Sequence, residues 1–208
     1  MVDGSVPIRK ILVPTDGLAH SVKACQYAVG LAKLTGAEII GVHILPNQMS
    51  RIFEERRHLG EISHDFAGQY RKEGEEYLKQ VERICSREMV RCRTMLLDGY
   101  PPEEILKIAQ KENADLILIP SREEGFGLPV IEAGAARKPI FCSRIPPFQE
   151  LIRDDIEGFM FDLAEDPKSI AFRIYRRYLE DRVDNNFDNV IKRFTWESII
   201  RKKLIPLL

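Results

Sequence analysis

Leu116-Ile-Leu-Ile-Pro-Ser-Arg-Glu-Glu-Gly-Phe-Gly-Leu-Pro-Val-Ile-Glu-Ala-Gly134 decides the fold. An apolar run, Leu116 to Ile119, stops at Pro120, and a second run, Pro139 to Cys142, follows the stretch. Between them Pro129 suits the first turn of a helix, where its missing N–H costs nothing. The order is therefore strand, glycine loop, short helix, strand. Gly125 and Gly127 let the backbone turn sharply and let a ligand come close. Free N–H groups at such a helix start attract an anion, the dipole adding about 0.3–1 kcal/mol. Glu124 precedes the glycines, and Glu132 stands about two helical turns further on. From spacing alone two readings stay open, a ligand site and a loop–helix junction with two solvated glutamates.

The nine residues Glu124-Gly-Phe-Gly-Leu-Pro-Val-Ile-Glu132 resemble the donor-binding segment of the retaining, family-4 type of two-domain glycosyltransferases. The resemblance implies that Glu124 faces hydroxyls of a donor sugar and that Glu132 holds the ribose of its nucleotide. It also implies that amides near Gly125, Phe126 and Gly127 face the sugar or the phosphates.

Upstream, strand and helix patterns alternate. Ile8 to Pro14 reads as a buried strand, and Thr15-Asp16-Gly17 as a turn. A helix follows over about Ala19 to Thr35, with Val22, Cys25, Ala28, Val29 and Ala32 at helical spacing and Gly36 as its stop. Ala37 to Leu45 is the second strand, and His43 within it reads as a satisfied core group. Pro46 to His64 is charged and irregular, a loop with a lid as the functional alternative. A helix over about Asp65 to Arg87 has Phe66, Tyr70, Tyr77, Val81 and Ile84 as its expected buried stripe. Val90 to Leu97 is a strand whose alternating Arg91 and Arg93 suit a place near the sheet edge. Pro101 and Pro102 start a helix with Glu103 and Glu104 in its first turn, ending near Asn113. Asp115 to Pro120 is the fourth strand. Such alternation implies a parallel sheet covered by helices on both faces, with ligands at the carboxyl ends of the strands. Asp16 and the loop at Gly125 then share one rim.

The first 120 residues resemble a universal stress protein. The likeness is carried by Arg9-Lys-Ile-Leu-Val-Pro-Thr-Asp-Gly17, the small residues Ala24, Ala28 and Ala32, Gly41-Val-His-Ile44, Asp98-Gly-Tyr-Pro101 and Ala114-Asp-Leu-Ile-Leu-Ile119. It implies an adenine-nucleotide fold, often dimeric, with Asp16 near ribose or phosphates and the backbone at Ile44 near adenine. The nucleotide-binding members carry Gly-x2-Gly-x9-Gly-Ser/Thr after the fourth strand. Here the glycosyltransferase-like segment stands in that place.

Downstream, Pro139 to Ser143 is the fifth strand, Arg144 to Phe148 a proline loop and Gln149 to Arg153 a helical turn. Gly158 to Phe161 is a short sixth strand, and Asp166-Pro167 opens an amphipathic helix to about Glu180 with Ile170, Ile174, Tyr178 and Leu179 apolar. Two helical pieces follow, near Asp188 to Phe194 and Thr195 to Lys203. Phe194-Thr-Trp-Glu197 resembles the start of the final helix in the same glycosyltransferases. The expected architecture is α/β, a single doubly wound Rossmann-like parallel sheet of five to six strands with a C-terminal helical tail. Residues 1–163 would form the α/β domain, 1–120 stress-protein-like and 121–163 its glycosyltransferase-like completion, with 164–208 packed on it. The two resemblances overlap from about Asp98 to Pro120, as a hybrid joined at a shared strand would.

The chain has 208 residues and a formal net charge of −1, so no bulk field recruits nucleic acid or an acidic membrane. No apolar run nears the roughly 20 residues that span a bilayer, and Met1 to Arg9 is too polar for a signal peptide. Cys25, Cys85, Cys92 and Cys142 lack metal-ligand spacing, and buried reduced thiols in a cytoplasmic protein are expected. Three functions compete: a nucleotide-binding stress-type protein without catalysis, a hexosyl transferase or its donor-binding half, and a fold without a ligand. The candidate ligands are ATP or a nucleotide sugar, with or without Mg²⁺, and a homodimer is the candidate assembly. Against transfer, Thr15-Asp16-Gly17 stands after the first strand, where those enzymes place the Arg and Lys that clamp a diphosphate. A carboxylate some 6 Å from a diphosphate repels it by several kcal/mol at an effective dielectric of about 20. No residue is assigned a catalytic role.

Overall fold

The computed structural model describes residues 8–47, 66–119, 130–131, 133, 139–153 and 158–179. Chain order is β1 (Lys10–Pro14), α1 (Ala19–Thr35), β2 (Glu38–Pro46), α2 (Phe66–Arg87), β3 (Cys92–Gly99), α3 (Pro101–Lys111), β4 (Leu116–Ile119), β5 (Ile140–Ser143), α4 (Pro146–Leu151), β6 (Phe159–Phe161) and α5 (Pro167–Leu179). All strands are parallel, in the order β3-β2-β1-β4-β5-β6. The expected single doubly wound sheet is thus present. The order reverses at β1, which pairs with β2 on one side and β4 on the other.

Both faces of the sheet are buried, which is why its strands read as continuous apolar runs. Ile11, Val13, Ile39, Leu116, Leu118, Phe141, Phe159 and Phe161 point toward α1, α2 and α5. Leu12, Ile40, Val42, Ile44, Ile117, Ile119, Cys142 and Met160 point toward α3 and α4. The alternation follows from the two-residue period of a strand.

At the amino ends of the strands, polar groups fix the order. Asp115 accepts the amides of Arg9 at 2.8 Å and Lys10 at 2.9 Å. Arg93, on the edge strand β3, pairs with Glu112 and lies 3.4 Å from Glu38. That edge position agrees with the arginine alternation in the sequence.

Several local expectations are corrected. The buried stripe of α2 runs through Gly74, Leu78, Val81 and Cys85, while Tyr70, Tyr77 and Ile84 are only half-buried. Large aromatic rings can flank a stripe without lying in it. Arg144 to Phe148 is not wholly a loop, because Pro146 opens α4 with its fixed φ and absent N–H. α5 buries Ile170, Ala171 and Ile174, and Tyr178 stays half-buried. The helical pieces expected beyond 180, and the irregular stretch through His64 apart from Pro46 and Asn47, lie outside the described residues.

Candidate functional site

The strand order reverses between β1 and β4, and it is at the carboxyl rim of such a reversal that doubly wound sheets have the crevice in which ligands bind. The turn Thr15-Asp16-Gly17 leaves β1 at this rim. Its backbone continues the sheet for one bond, the Thr15 amide donating to the Val42 carbonyl at 2.8 Å. Gly17 then takes φ 76°, and α1 starts after Leu18.

Asp16 closes the turn. One carboxylate oxygen accepts the Leu18 amide at 3.0 Å, and the other lies 3.1 Å from His20 Nε2. Burial pulls the Asp16 carboxyl up, but the Leu18 amide, the Ser21 hydroxyl and His20 together outweigh it and hold it below its ordinary value. The side chain keeps 51% of its exposure, so its outer surface faces the rim. Thr15 Oγ1 donates to Ser21 Oγ at 3.1 Å, and Ser21 in turn donates to the Leu18 carbonyl at 2.9 Å. The helix start has no side-chain cap and no acidic residue in its first turn.

Beneath the turn, His43 of β2 is 7% exposed and its Nδ1 lies 2.7 Å from the Thr15 carbonyl oxygen. A carbonyl only accepts, so Nδ1 carries the proton. Nε2 is buried and has no partner among the described residues. The expectation of a satisfied core histidine therefore holds for one nitrogen only. Tyr77 of α2 stands edge-on to His43, with ring centroids 5.3 Å apart and planes at 79°. The same ring covers Gly17, where a Cβ would lie 2.1 Å from Tyr77 Cδ1.

Ile44, the other rim position expected near a base, pairs with Leu97 of β3. Its side chain is buried on the α3 and α4 face, so only its backbone is available at the rim. Lys23 does not reach the turn. Its ammonium donates to the Leu163 carbonyl at 2.8 Å, beside a hollow of about 380 Å³ lined by His20, Lys23 and Asp162.

Glu124, Gly125, Phe126, Gly127 and Glu132 lie outside the described residues. The positions flanking them are described. Ile119 ends β4 at the same rim, and Val130 and Ala133 are helical and buried against the α3 and α4 face. Asp16 and the backbone of Ile44 are thus brought to one rim. The reading of the sequence gives His20 and Gly74 no part in the site and places Tyr77 only in the stripe of α2. The signal for Gly74 and Tyr77 was a glycine and a tyrosine three apart in one helix, and nothing in the sequence pointed to His20. Among the described residues no three His, Cys, Asp or Glu side chains converge on a metal position.

Comparison with known proteins gives two sets of relatives. The model of the universal stress protein family matches residues 7–131. A universal stress protein of Methanocaldococcus jannaschii is 31% identical over 53% of this chain and 63% of its own length. An uncharacterized glycosyltransferase of the same organism is 28% identical over 78% of this chain and 40% of its own. The chain therefore spans less than two thirds of either relative. Among solved structures, a glycosyltransferase from Rickettsia africae superposes with a TM-score of 0.60 at 17% identity, covering 96% of this chain and 47% of that one. A universal stress protein from Archaeoglobus fulgidus gives 0.50 at 23% identity, over 64% of this chain and 92% of that one. At these identities the structural likenesses concern the fold. The sequence relatives agree with a chain whose front is stress-protein-like and whose remainder is glycosyltransferase-like.

Proposed function

Because the chain belongs to the universal stress protein family through residues 7–131, we propose that it is a nucleotide-binding regulatory protein without catalysis of its own. The ligand would lie over the β1–β4 crevice. Asp16 would meet its ribose or phosphates, and the backbone at Ile44 its base. The observation that carries this reading is the reversal of strand order at β1, with a half-exposed, hydrogen-bonded Asp16 on the rim beside it. Any Mg²⁺ would arrive on the ligand's phosphates. A homodimer is the proposed assembly.

A second reading is favoured by the glycosyltransferase relative, which matches 78% of this chain. In it residues 124–132 would form a nucleotide-sugar site, with Glu124 on the sugar, Glu132 on the ribose and Gly125, Phe126 and Gly127 on the sugar or the phosphates. The chain would then be the donor-binding part of a hexosyl transferase.

Calorimetric titration with ATP, UDP-glucose and GDP-mannose, each with and without Mg²⁺, separates the readings. The first expects ATP to bind best. Preference for a sugar nucleotide supports the second, and Glu132→Ala should then abolish that preference. No heat with any ligand would leave a fold without this function.

A further inference from the structure

We infer that His43, in its Nδ1–H form, is the residue that positions the Asp16 turn for ligand binding. This rests on the nucleotide-binding reading above. The imidazole reaches across from β2 and holds the Thr15 carbonyl at 2.7 Å, one residue before the rim carboxylate. Its other nitrogen is buried with no hydrogen bond among the described residues. Leaving a buried polar atom unpaired costs about 1–3 kcal/mol. A histidine used only as filler would be replaceable here by an apolar residue without that cost. The cost is offset if the fixed place of Thr15 matters.

Two glycines make the room. At Gly74 of α2 a Cβ would lie 2.6 Å from His43 Cδ2 and 3.2 Å from its Nε2. At Gly17 a Cβ would enter the Tyr77 ring. The turn is therefore gripped from two sides, by a hydrogen bond on Thr15 and by an aromatic face on Gly17. The ring of Tyr77 touches both grips, because it also stands against His43. Leu18 and His20 restrict the rotation of the Asp16 side chain itself.

Asparagine places an amide N–H where Nδ1 stands, one bond beyond Cγ. Glutamine places it one bond further out, where Nε2 stands. His43→Asn should thus keep the bond to Thr15, and His43→Gln should lose it. The measurement pairs ATP affinity by calorimetry with the exchange protection of the Leu18 amide and the urea midpoint of each variant. Nitrogen-15 spectra of the wild-type imidazole report which nitrogen carries the proton. The expected result is a protonated Nδ1, ATP affinity within about threefold of wild type for His43→Asn, and a loss of about tenfold for His43→Gln at a similar midpoint. Leu18 protection should follow the same order. A proton on Nε2, or equal affinity and equal protection in the two variants, overturns the assignment. If the wild type binds no ATP, the nucleotide reading fails separately. The tautomer and Leu18 protection then decide alone whether His43 positions the turn. Gly74→Ala is the independent check, since it presses the ring at Cδ2 and Nε2 rather than at Nδ1, and it should weaken Leu18 protection as His43→Gln does.

Discussion

Asp16 carries a consequence for acid stability. Its carboxyl is held below the ordinary value in the folded chain, so its contribution is present above the unfolded value of about 3.9 and is lost as pH falls through the folded one. Asp16→Asn should be less stable than wild type near neutrality, by under about 1 kcal/mol because the group is half-exposed. The two should converge once pH has fallen below the folded value, as urea midpoints across pH will show; a constant gap would mean the carboxylate's charge contributes nothing. The thiols behave differently. The neighbouring Cys25 thiol pushes Cys85 up to about 12, and none of the four cysteines is in a disulfide. Asp16 was legible in the sequence because an Asp-Gly pair after an apolar run signals a turn. The partners that fix it were not, because His43, Gly74 and Tyr77 come from two other elements and meet only in three dimensions.

Elements were legible where local chemistry and tertiary packing agree. α1 occupies the expected residues, since its small apolar face is buried and Gly36 supplies the left-handed stop at φ 76°. α2 kept its expected extent but not its stripe, because the period of a helix leaves neighbouring faces open and Leu78 and Cys85 were overlooked beside the aromatics. α4 was legible only from Gln149 on, as a helical turn, although Pro146 does there what Pro101 does for α3. A six-residue helix carries too little periodicity to outweigh a proline pair read as a loop. α5 offers a test of its own boundary. Asp166 accepts the amides of Lys168 and Ser169, both at 3.0 Å, as an N-cap does. Asp166→Ala should cost about 1 kcal/mol in the urea midpoint. No change would mean that packing of Ile170, Ala171 and Ile174 alone sets the helix start.

For the whole molecule, the expected continuity between the front and the later part of the chain is present in contacts. α1 lies within the region matched to the stress-protein family, and α5 lies beyond it. They meet at Gly30, where a Cβ would stand 2.9 Å from that of Ala171. Tyr27 and Phe161 extend the contact edge to face, with centroids 5.3 Å apart. Gly30→Val should therefore destabilise by about 1–3 kcal/mol. Unfolding should remain one transition by fluorescence and by circular dichroism. Two separate transitions would show that the later part folds apart from the front. Sheet class and strand alternation were legible because both faces are covered. The glycosyltransferase-like stretch was legible as a motif, but its relation to the rim rests on residues outside those described.

The placement of β1 also has a consequence for how the chain is made. β1 is synthesised first, yet its β4-facing edge is closed only by a partner whose ties to it span 105 residues. At roughly 5–20 residues per second, the ribosome needs on the order of 5–20 s to supply that partner. Throughout that interval one of the two central strands of the finished sheet has an open edge, so the nascent chain is vulnerable to misassociation at what later becomes part of its buried middle.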